Sequence, residues 1–155
     1  MSRLQDHMMG LHRELDERLF VHQRALLDRD VATATRALTG YRELLALHMA
    51  DEEEFVLPRY AQGGGDATDA PVRLFLGEHE RLREFLARFA AALAALSEPP
   101  DDRRLLELLD LQATFKNLLL HHDLRERAAL YPRLATMLTP QDEAAVLVRL
   151  RVQPA

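Results

Sequence analysis

A short pattern of histidine, glutamate and proline occurs twice in this chain and constrains its fold more than any other feature. A glutamate follows the histidine by four residues and a proline follows it by ten, as His48, Glu52 and Pro58 and again as His122, Glu126 and Pro132. Residues four apart lie on one face of an α-helix, so each copy can direct an imidazole and a carboxylate at one point. Two such pairs on facing helices would supply two nitrogens and two oxygens, a donor set that suits iron or manganese.

The spacing of apolar residues indicates that helices make up the rest of the chain. It predicts four long helices over about residues 4–27, 31–58, 71–96 and 102–132, and a short fifth helix that begins at Thr139-Pro140. We expect Pro58 to kink or end the second helix, and Gly63-Gly64-Gly65-Asp66 to be a flexible linker. No segment shows the alternation of a strand. The sequence therefore predicts an all-α, up-down-up-down four-helix bundle with a short C-terminal helix.

Length and composition bound the class of protein. A chain of 155 residues predicts a single domain over 1–155, with a core over about 4–137 and a short helix and tail over 138–155. The net charge of -5 gives no basic surface for nucleic acid, and the absence of cysteine excludes disulfides, iron–sulfur clusters and thiol nucleophiles. No apolar run approaches the roughly 18 residues of a membrane span. Because the N-terminus also lacks the apolar core of a signal peptide, we expect a cytoplasmic protein.

The two halves of the chain resemble each other, which predicts where the helices meet. Gly10-Leu11-His12 is similar to Gly77-Glu78-His79, and each lies one helix before a histidine–glutamate pair. Folding the chain back near Arg29 and near Pro99 brings each of these histidines level with that pair. One layer of the bundle would then hold His12, His48, Glu52, His79, His122 and Glu126. Four nitrogens and two carboxylates are too many donors for one tetrahedral zinc, but they suit two metals bridged by carboxylates.

Single pairs of this kind are common on solvent-facing helices, so the metal interpretation depends on both copies together. The register places His22 several turns from His48, outside the site. His121 lies about 100° around the helix from its neighbour, which suggests a position at the rim. His7 is assigned to the surface. Glu53 and Glu54 are assigned to solvent or to support of the ligands, and Asp51 and Asp123 to other helix faces.

These motifs make the chain similar to bacterial hemerythrin-like proteins of the HHE cation-binding group, over about residues 4–134. The resemblance rests on His48-x-x-x-Glu52 with Glu53 and Pro58, on His79, and on His122-x-x-x-Glu126 with Pro132. It implies a non-haem di-iron centre in a four-helix bundle. The implied ligands are His12, His48, Glu52, His79, His122 and Glu126, and the two glutamates are implied to bridge the irons.

Two positions depart from the pattern of the group. Oxygen-carrying members have a further histidine one turn away on the third helix, whereas Phe75 and Arg83 flank His79 here. Arg127 stands where a second glutamate usually follows the last motif. The missing histidine argues against plain reversible oxygen carriage.

Three functions remain open at this point. The first is a di-iron protein that binds or senses O2, NO or peroxide, or handles iron under oxidative or nitrosative stress. The second is an enzyme, a di-iron oxidase or peroxidase. The third is a bundle whose metal is structural, with zinc or manganese as substitutes for iron, and which acts through a separate protein partner.

Overall fold

The computed structural model describes residues 2–154, and seven α-helices form most of that part of the chain. Their bounds are α1 Arg3–Leu27, α2 Val31–Asp51, α3 Leu57–Gln62, α4 Val72–Ala94, α5 Asp102–Arg125, α6 Tyr131–Met137 and α7 Pro140–Arg149. No strand occurs within residues 2–154, which confirms the predicted all-α class with its short C-terminal helix. Met1 and Ala155, the ends of the predicted domain, lie outside the described residues.

The four long helices form two antiparallel hairpins, α1–α2 and α4–α5, whose turns lie at the same end of the bundle. Asp30 begins α2 by accepting the Thr33 N–H at 3.1 Å. Arg29, just before it, adopts a left-handed conformation with φ of 58°. Its guanidinium donates to the Pro100 carbonyl at 2.9 Å and forms an ion pair with Asp102. These contacts join the turn of one hairpin to the turn of the other.

Each hairpin's second helix passes through a π-helical turn that begins at the glutamate of the repeated motif. The two turns are Glu52–Val56, which we name π1, and Glu126–Leu130, which we name π2. In π1 the Leu57 N–H donates to the Glu52 carbonyl five residues earlier, and in π2 the Tyr131 N–H donates to the Glu126 carbonyl. A wider turn of this kind is frequent at functional sites.

The π turns also explain how the helices accommodate the two prolines. Pro58 and Pro132 are each the second residue of the helix that follows, α3 and α6. A backbone N–H in the first turn of a helix has no intrahelical partner. A proline, which has no N–H, therefore costs no hydrogen bond there. The sequence predicts that Pro58 kinks or ends the second helix. In the structure α2 ends at Asp51, and after π1 the helical residues continue past Pro58 as α3, which ends at Gln62.

An aromatic layer fills the bundle between the hairpin turns and the motif residues. The Phe115 ring lies 5.0 Å from Phe89, 6.0 Å from Phe85 and 6.2 Å from Tyr41, each in an edge-to-face arrangement. Three of these four side chains are fully buried, since only Phe85 is partly exposed. The layer forms the apolar core on this side of the motif residues.

The C-terminal segment packs on the opposite end of the bundle. In α7, Glu143 accepts the Leu4 N–H at 2.8 Å. Beyond α7, the backbone N–H groups of Arg151 and Val152 donate to the buried Asp51 at 2.9 and 3.1 Å. Asp51 therefore anchors the end of the chain beside Glu52. Among the helices of residues 2–154, none is both long and apolar enough to cross a membrane.

Candidate metal centre

The structure brings together all six residues that the sequence predicts as metal ligands. They form two overlapping groups, and within each group the donor atoms lie within 4.8 Å of one another. The groups are His12, His48, Glu52 and Glu126, and Glu52, His79, His122 and Glu126. Each hairpin thus supplies one pair of histidines, and the two carboxylates belong to both groups.

Each shared carboxylate spans the two pairs of histidines, with one oxygen toward each pair. The distances from histidine Nε2 to carboxylate oxygen are 3.5 Å for His48 and Glu52 Oε1, 3.1 Å for His79 and Glu52 Oε2, 3.2 Å for His12 and Glu126 Oε2, and 2.9 Å for His122 and Glu126 Oε1. Carboxylates that bridge two metals in helical bundles present their oxygens in this way.

The chemistry of these atoms fits metal binding better than it fits a hydrogen-bond network. Five of the six side chains are buried, and His12 is 14% exposed. Glu126 Oε1 lies 2.9 Å from His122 Nε2 but has no hydrogen-bond partner within residues 2–154. The Nε2 atoms of His12 and His48 are 3.0 Å apart. Buried donor atoms that face a common point are costly unless something is bound there, and mixed nitrogen and oxygen donors suit iron.

Three further carboxylates contact the outer ring nitrogen, Nδ1, of three of the histidines. Asp123 contacts His12 Nδ1, Glu53 Oε1 lies 2.9 Å from His79 Nδ1, and Glu78 Oε2 lies 3.3 Å from His122 Nδ1. A carboxylate in this position favours the proton on Nδ1 and leaves Nε2 free as a ligand. The sequence includes Glu53 as a possible support. It places Asp123 on another helix face and overlooks Glu78, although both are adjacent in sequence to a candidate ligand.

Each of these three carboxylates is also paired with an arginine. Arg83 and Arg125 donate to Glu53 and Glu78 at 2.7 Å each, and Arg127 forms an ion pair with Asp123. Burial opposes ionisation of Asp123, but hydrogen bonds from His12 and Arg127 outweigh it and lower its pKa to about 2. Arg83 and Arg127 are the two charged residues that depart from the hemerythrin-like pattern, and both hold a carboxylate against a candidate ligand.

His48 is the exception among the four histidines, because no carboxylate contacts its Nδ1 within residues 2–154. The Nδ1 atoms of His48 and His122 both lack a hydrogen-bond partner there, but the Glu78 carboxylate lies 3.3 Å from that of His122. The repeat explains the difference, because the position of Glu78 in the second hairpin corresponds to the buried Leu11 in the first. The first hairpin therefore lacks the carboxylate that would contact His48.

Tyr131 is a further polar residue at the centre that the sequence does not predict. Its buried hydroxyl donates to Glu52 Oε1 at 2.7 Å and lies 3.5 Å from Glu126 Oε2. Leu57 occupies the corresponding position of the first hairpin, directly before the proline. A tyrosine next to the motif proline was the available signal, but its contact with the carboxylates depends on the π turn.

Burial and the close approach of like charges shift the pKa values of the cluster. Burial and the charge of Glu52 raise the pKa of Glu126 to about 7. Burial lowers the pKa of His48 to about 4. Burial also acts to lower the pKa of His122, but the neighbouring carboxylates of Glu126 and Glu78 outweigh it, so that pKa is raised well above its usual value. The cluster thus holds protons at Glu126 and His122 that a metal would displace.

The remaining histidines lie outside the cluster. His22 is buried, with Nδ1 2.7 Å from the Ala34 carbonyl and Nε2 2.8 Å from Gln112 Nε2. His121 is exposed, and His7 Nε2 lies 2.9 Å from the Val152 carbonyl. As the predicted register of the first hairpin requires, His12 lies beside His48. His22 lies apart from them, in a separate hydrogen-bond network.

Comparison with known proteins matches the chain to one family model. Residues 3–134 match the model described as hemerythrin, HHE cation-binding domain. The match includes all four long helices and both histidine–glutamate motifs. Searches among curated proteins and solved structures gave no match. Hemerythrin-like domains bind metal ions, typically iron, so the chain is a metal-binding helical protein.

Proposed function

Since the matched model covers most of its length, this chain belongs to the hemerythrin HHE cation-binding family, and we propose that it holds two non-haem irons between its hairpins. His12 and His48 would hold one iron, and His79 and His122 would hold the other. Glu52 and Glu126 would supply an oxygen to each. The observation that carries this proposal is that each carboxylate directs one oxygen to each pair of histidines.

The proposed function is the binding or sensing of O2, NO or peroxide at this centre. Two histidines and two shared carboxylate oxygens per metal leave coordination positions for a small ligand. Phe75, where a further histidine could stand, is fully buried with its ring 6.3 Å from His122, so it fills space without supplying a donor. When bound, an iron pair supplies the redox chemistry toward such ligands.

The chain's own residues orient the ligands, exclude water and hold protons. The carboxylates of Asp123, Glu53 and Glu78 fix the orientation of three imidazoles, and the apolar core keeps solvent from most of the centre. The Tyr131 hydroxyl donates to Glu52 and lies 3.5 Å from Glu126, so it orients the Glu52 carboxylate and holds a proton beside the centre. The cytoplasmic location and a separate protein partner stay predictions.

An enzyme of the oxidase or peroxidase type is the second candidate. The observation that favours it is Tyr131, because a hydroxyl beside the carboxylates gives a source of protons for peroxide reduction. Repeated turnover of peroxide with a reductant would distinguish this enzyme from a protein that binds one ligand and releases it unchanged.

The test is the metal content of protein purified without air, with the absorption spectrum recorded before and after oxidation. We expect two irons per chain and a new near-ultraviolet band on exposure to air, followed by distinct spectral responses to O2, NO and peroxide. A single redox-silent metal would contradict the proposal and favour a structural metal, zinc or manganese, in a protein that acts through a partner.

A further inference from the structure

A cavity of about 590 Å³ leads from the surface to the candidate metal centre between α1, α2 and α5. Its inner end is lined by His12, His48 and His122, and His79 is not part of the lining. It therefore approaches the centre from the side of the first histidine pair. We name this cavity the α1–α5 pocket.

Apolar side chains line the α1–α5 pocket between the histidines and the surface. The buried part of this lining consists of Leu15, Leu19, Leu45 and Met49. At the mouth, Phe20 and Leu120 are 59% and 52% exposed, on α1 and α5 respectively. Large apolar side chains at the entrance of an apolar cavity favour an apolar ligand.

The charges around the mouth cancel. Asp16 and Asp123 are acidic, Lys116 and Arg127 are basic, and all four line the pocket. Arg127 is ion-paired with Asp123, and Lys116 donates to the Gln23 amide oxygen at 3.3 Å. Because no charge of either sign predominates, the mouth offers no net attraction to an ion.

The size of the pocket exceeds what a diatomic ligand needs. Cavities of roughly 300–1,000 Å³ with apolar walls and a few polar groups are typical of sites for small organic molecules, and they often lie between the helices of bundles. We propose that the α1–α5 pocket binds an uncharged, mainly apolar organic molecule with its inner end against His12, His48 and His122. Binding of this molecule is inferred from the geometry of the pocket. Only its placement beside a reactive metal depends on the proposed function.

Fluorescence titration of the full chain, purified with its metal, with uncharged N-phenyl-1-naphthylamine tests the proposal. Phe20→Glu and Leu120→Glu each place a carboxylate at the mouth without changing the core. The matched controls are Val21→Glu and Leu124→Glu, which change exposed residues of the same helices outside the lining, 46% and 48% exposed. We expect saturable binding at one site, weakened about tenfold or more by the two mouth variants, because an apolar ligand must desolvate the new charge. The controls should stay within about twofold of the parent protein.

Three outcomes would overturn the proposal: no saturable binding, equal weakening by all four variants, or a dimer that covers the mouth and that only the mouth variants dissociate. Sedimentation velocity of each protein detects the last of these. The metal content of every variant is measured separately and should not change. If the purified chain binds the probe but contains no metal, only the proposed function is refuted. If it contains metal but does not bind the probe, only the proposed pocket is refuted.

Discussion

The two hairpins supply matching ligands but surround them differently. In the second hairpin, Glu78 contacts His122 Nδ1 and Tyr131 donates to Glu52, a carboxylate that belongs to both ligand groups. In the first hairpin, the corresponding positions are Leu11 and Leu57, and no carboxylate within residues 2–154 contacts His48 Nδ1. The internal repeat therefore accounts for which residues meet at the centre, whereas the residues behind them give each half its own electrostatic character.

The difference in surroundings separates the protonation of the two motif histidines. Burial without a carboxylate at Nδ1 lowers the pKa of His48 to about 4. His122 is almost as buried, but Glu126 and Glu78 raise its pKa well above the usual value. Before metal binds, His48 therefore favours its neutral form, whereas His122 favours its protonated form.

The largest expected effect is the loss of metal when either motif histidine is removed. His48→Ala and His122→Ala should each lose most of the bound metal, because the carboxylates are shared and a change at one metal weakens the other. If free metal stands at about 100 times the Kd, the protein also loses roughly 2.7 kcal/mol of stabilisation, a fall in Tm of roughly 5–10 °C. Metal analysis and thermal denaturation measure both effects. His121→Ala, at the exposed neighbouring histidine, is the control. Full metal content in both ligand variants would refute the site.

A smaller effect is expected from making the second hairpin resemble the first. Glu78→Leu copies Leu11 and removes the carboxylate beside His122 Nδ1, which should lower metal affinity about 10–100-fold. Competition with a chelator of known affinity measures the change. Glu80→Leu, two residues further along α4 and exposed, should leave affinity unaltered. Equal affinities in all three proteins would mean that Glu78 serves only to bind Arg125.

The pH dependence should come mainly from Glu126 and His122, with a further contribution from His12, whose pKa is also raised. With a pKa of about 7, against 4.5 for an ordinary glutamate, Glu126 keeps its proton below neutral pH, and His122 also holds one. Metal binding must displace these protons, so apparent affinity should rise by about tenfold per pH unit for each proton displaced as pH increases through 7. His48, with a pKa of about 4, contributes nothing in this range.

The metal-free protein should show the opposite slope. Both raised pKa values stabilise the folded state at low pH, where the groups are protonated. That stability is lost as pH rises from the ordinary values of 4.5 and 6.5 through the raised pKa values of the folded protein. Chelator competition and urea denaturation between about pH 6 and pH 8 measure the two slopes. Slopes of the same sign would refute these protonation states.

The smallest expected effect on metal is that of the remaining buried histidine. His22→Ala should keep the metal content of the parent protein, because His22 contacts Ala34 and Gln112 rather than the centre. It should still cost about 1–3 kcal/mol of stability, since the Gln112 Nε2 group is left without its partner in the core. Loss of a metal from this variant would mean that the first hairpin has a different register.

The long-range arrangement of the bundle could be predicted from the sequence because it follows from simple geometry. Apolar periodicity locates α1 over residues 4–27, against Arg3–Leu27 in the structure. Antiparallel folding about Arg29 then brings His12 level with His48. The same logic, applied around Pro99, brings His79 near His122.

The contacts behind the ligands could not be predicted in the same way. Asp123 follows His122 directly, so helix geometry turns it away from its neighbour. It nevertheless contacts His12, because α1 approaches α5 from that side. Tyr131 reaches Glu52 only because π2 adds a residue to the turn. Such contacts depend on how neighbouring helices pack and on local departures from α-helical geometry, neither of which follows from spacing along one helix.

The π turns make the length of the chain at these points as important as its composition. Each is what a single inserted residue produces in an α-helix. Deletion of Ala128 would restore an ordinary helical turn and keep His122 and Glu126 in place, but it would rotate everything that follows by about 100°. The Tyr131 hydroxyl would then leave Glu52 and Glu126 without any change in the identity of the residues that form the centre. In this family, insertions and deletions after a motif glutamate can therefore alter the chemistry of a site whose ligands are untouched.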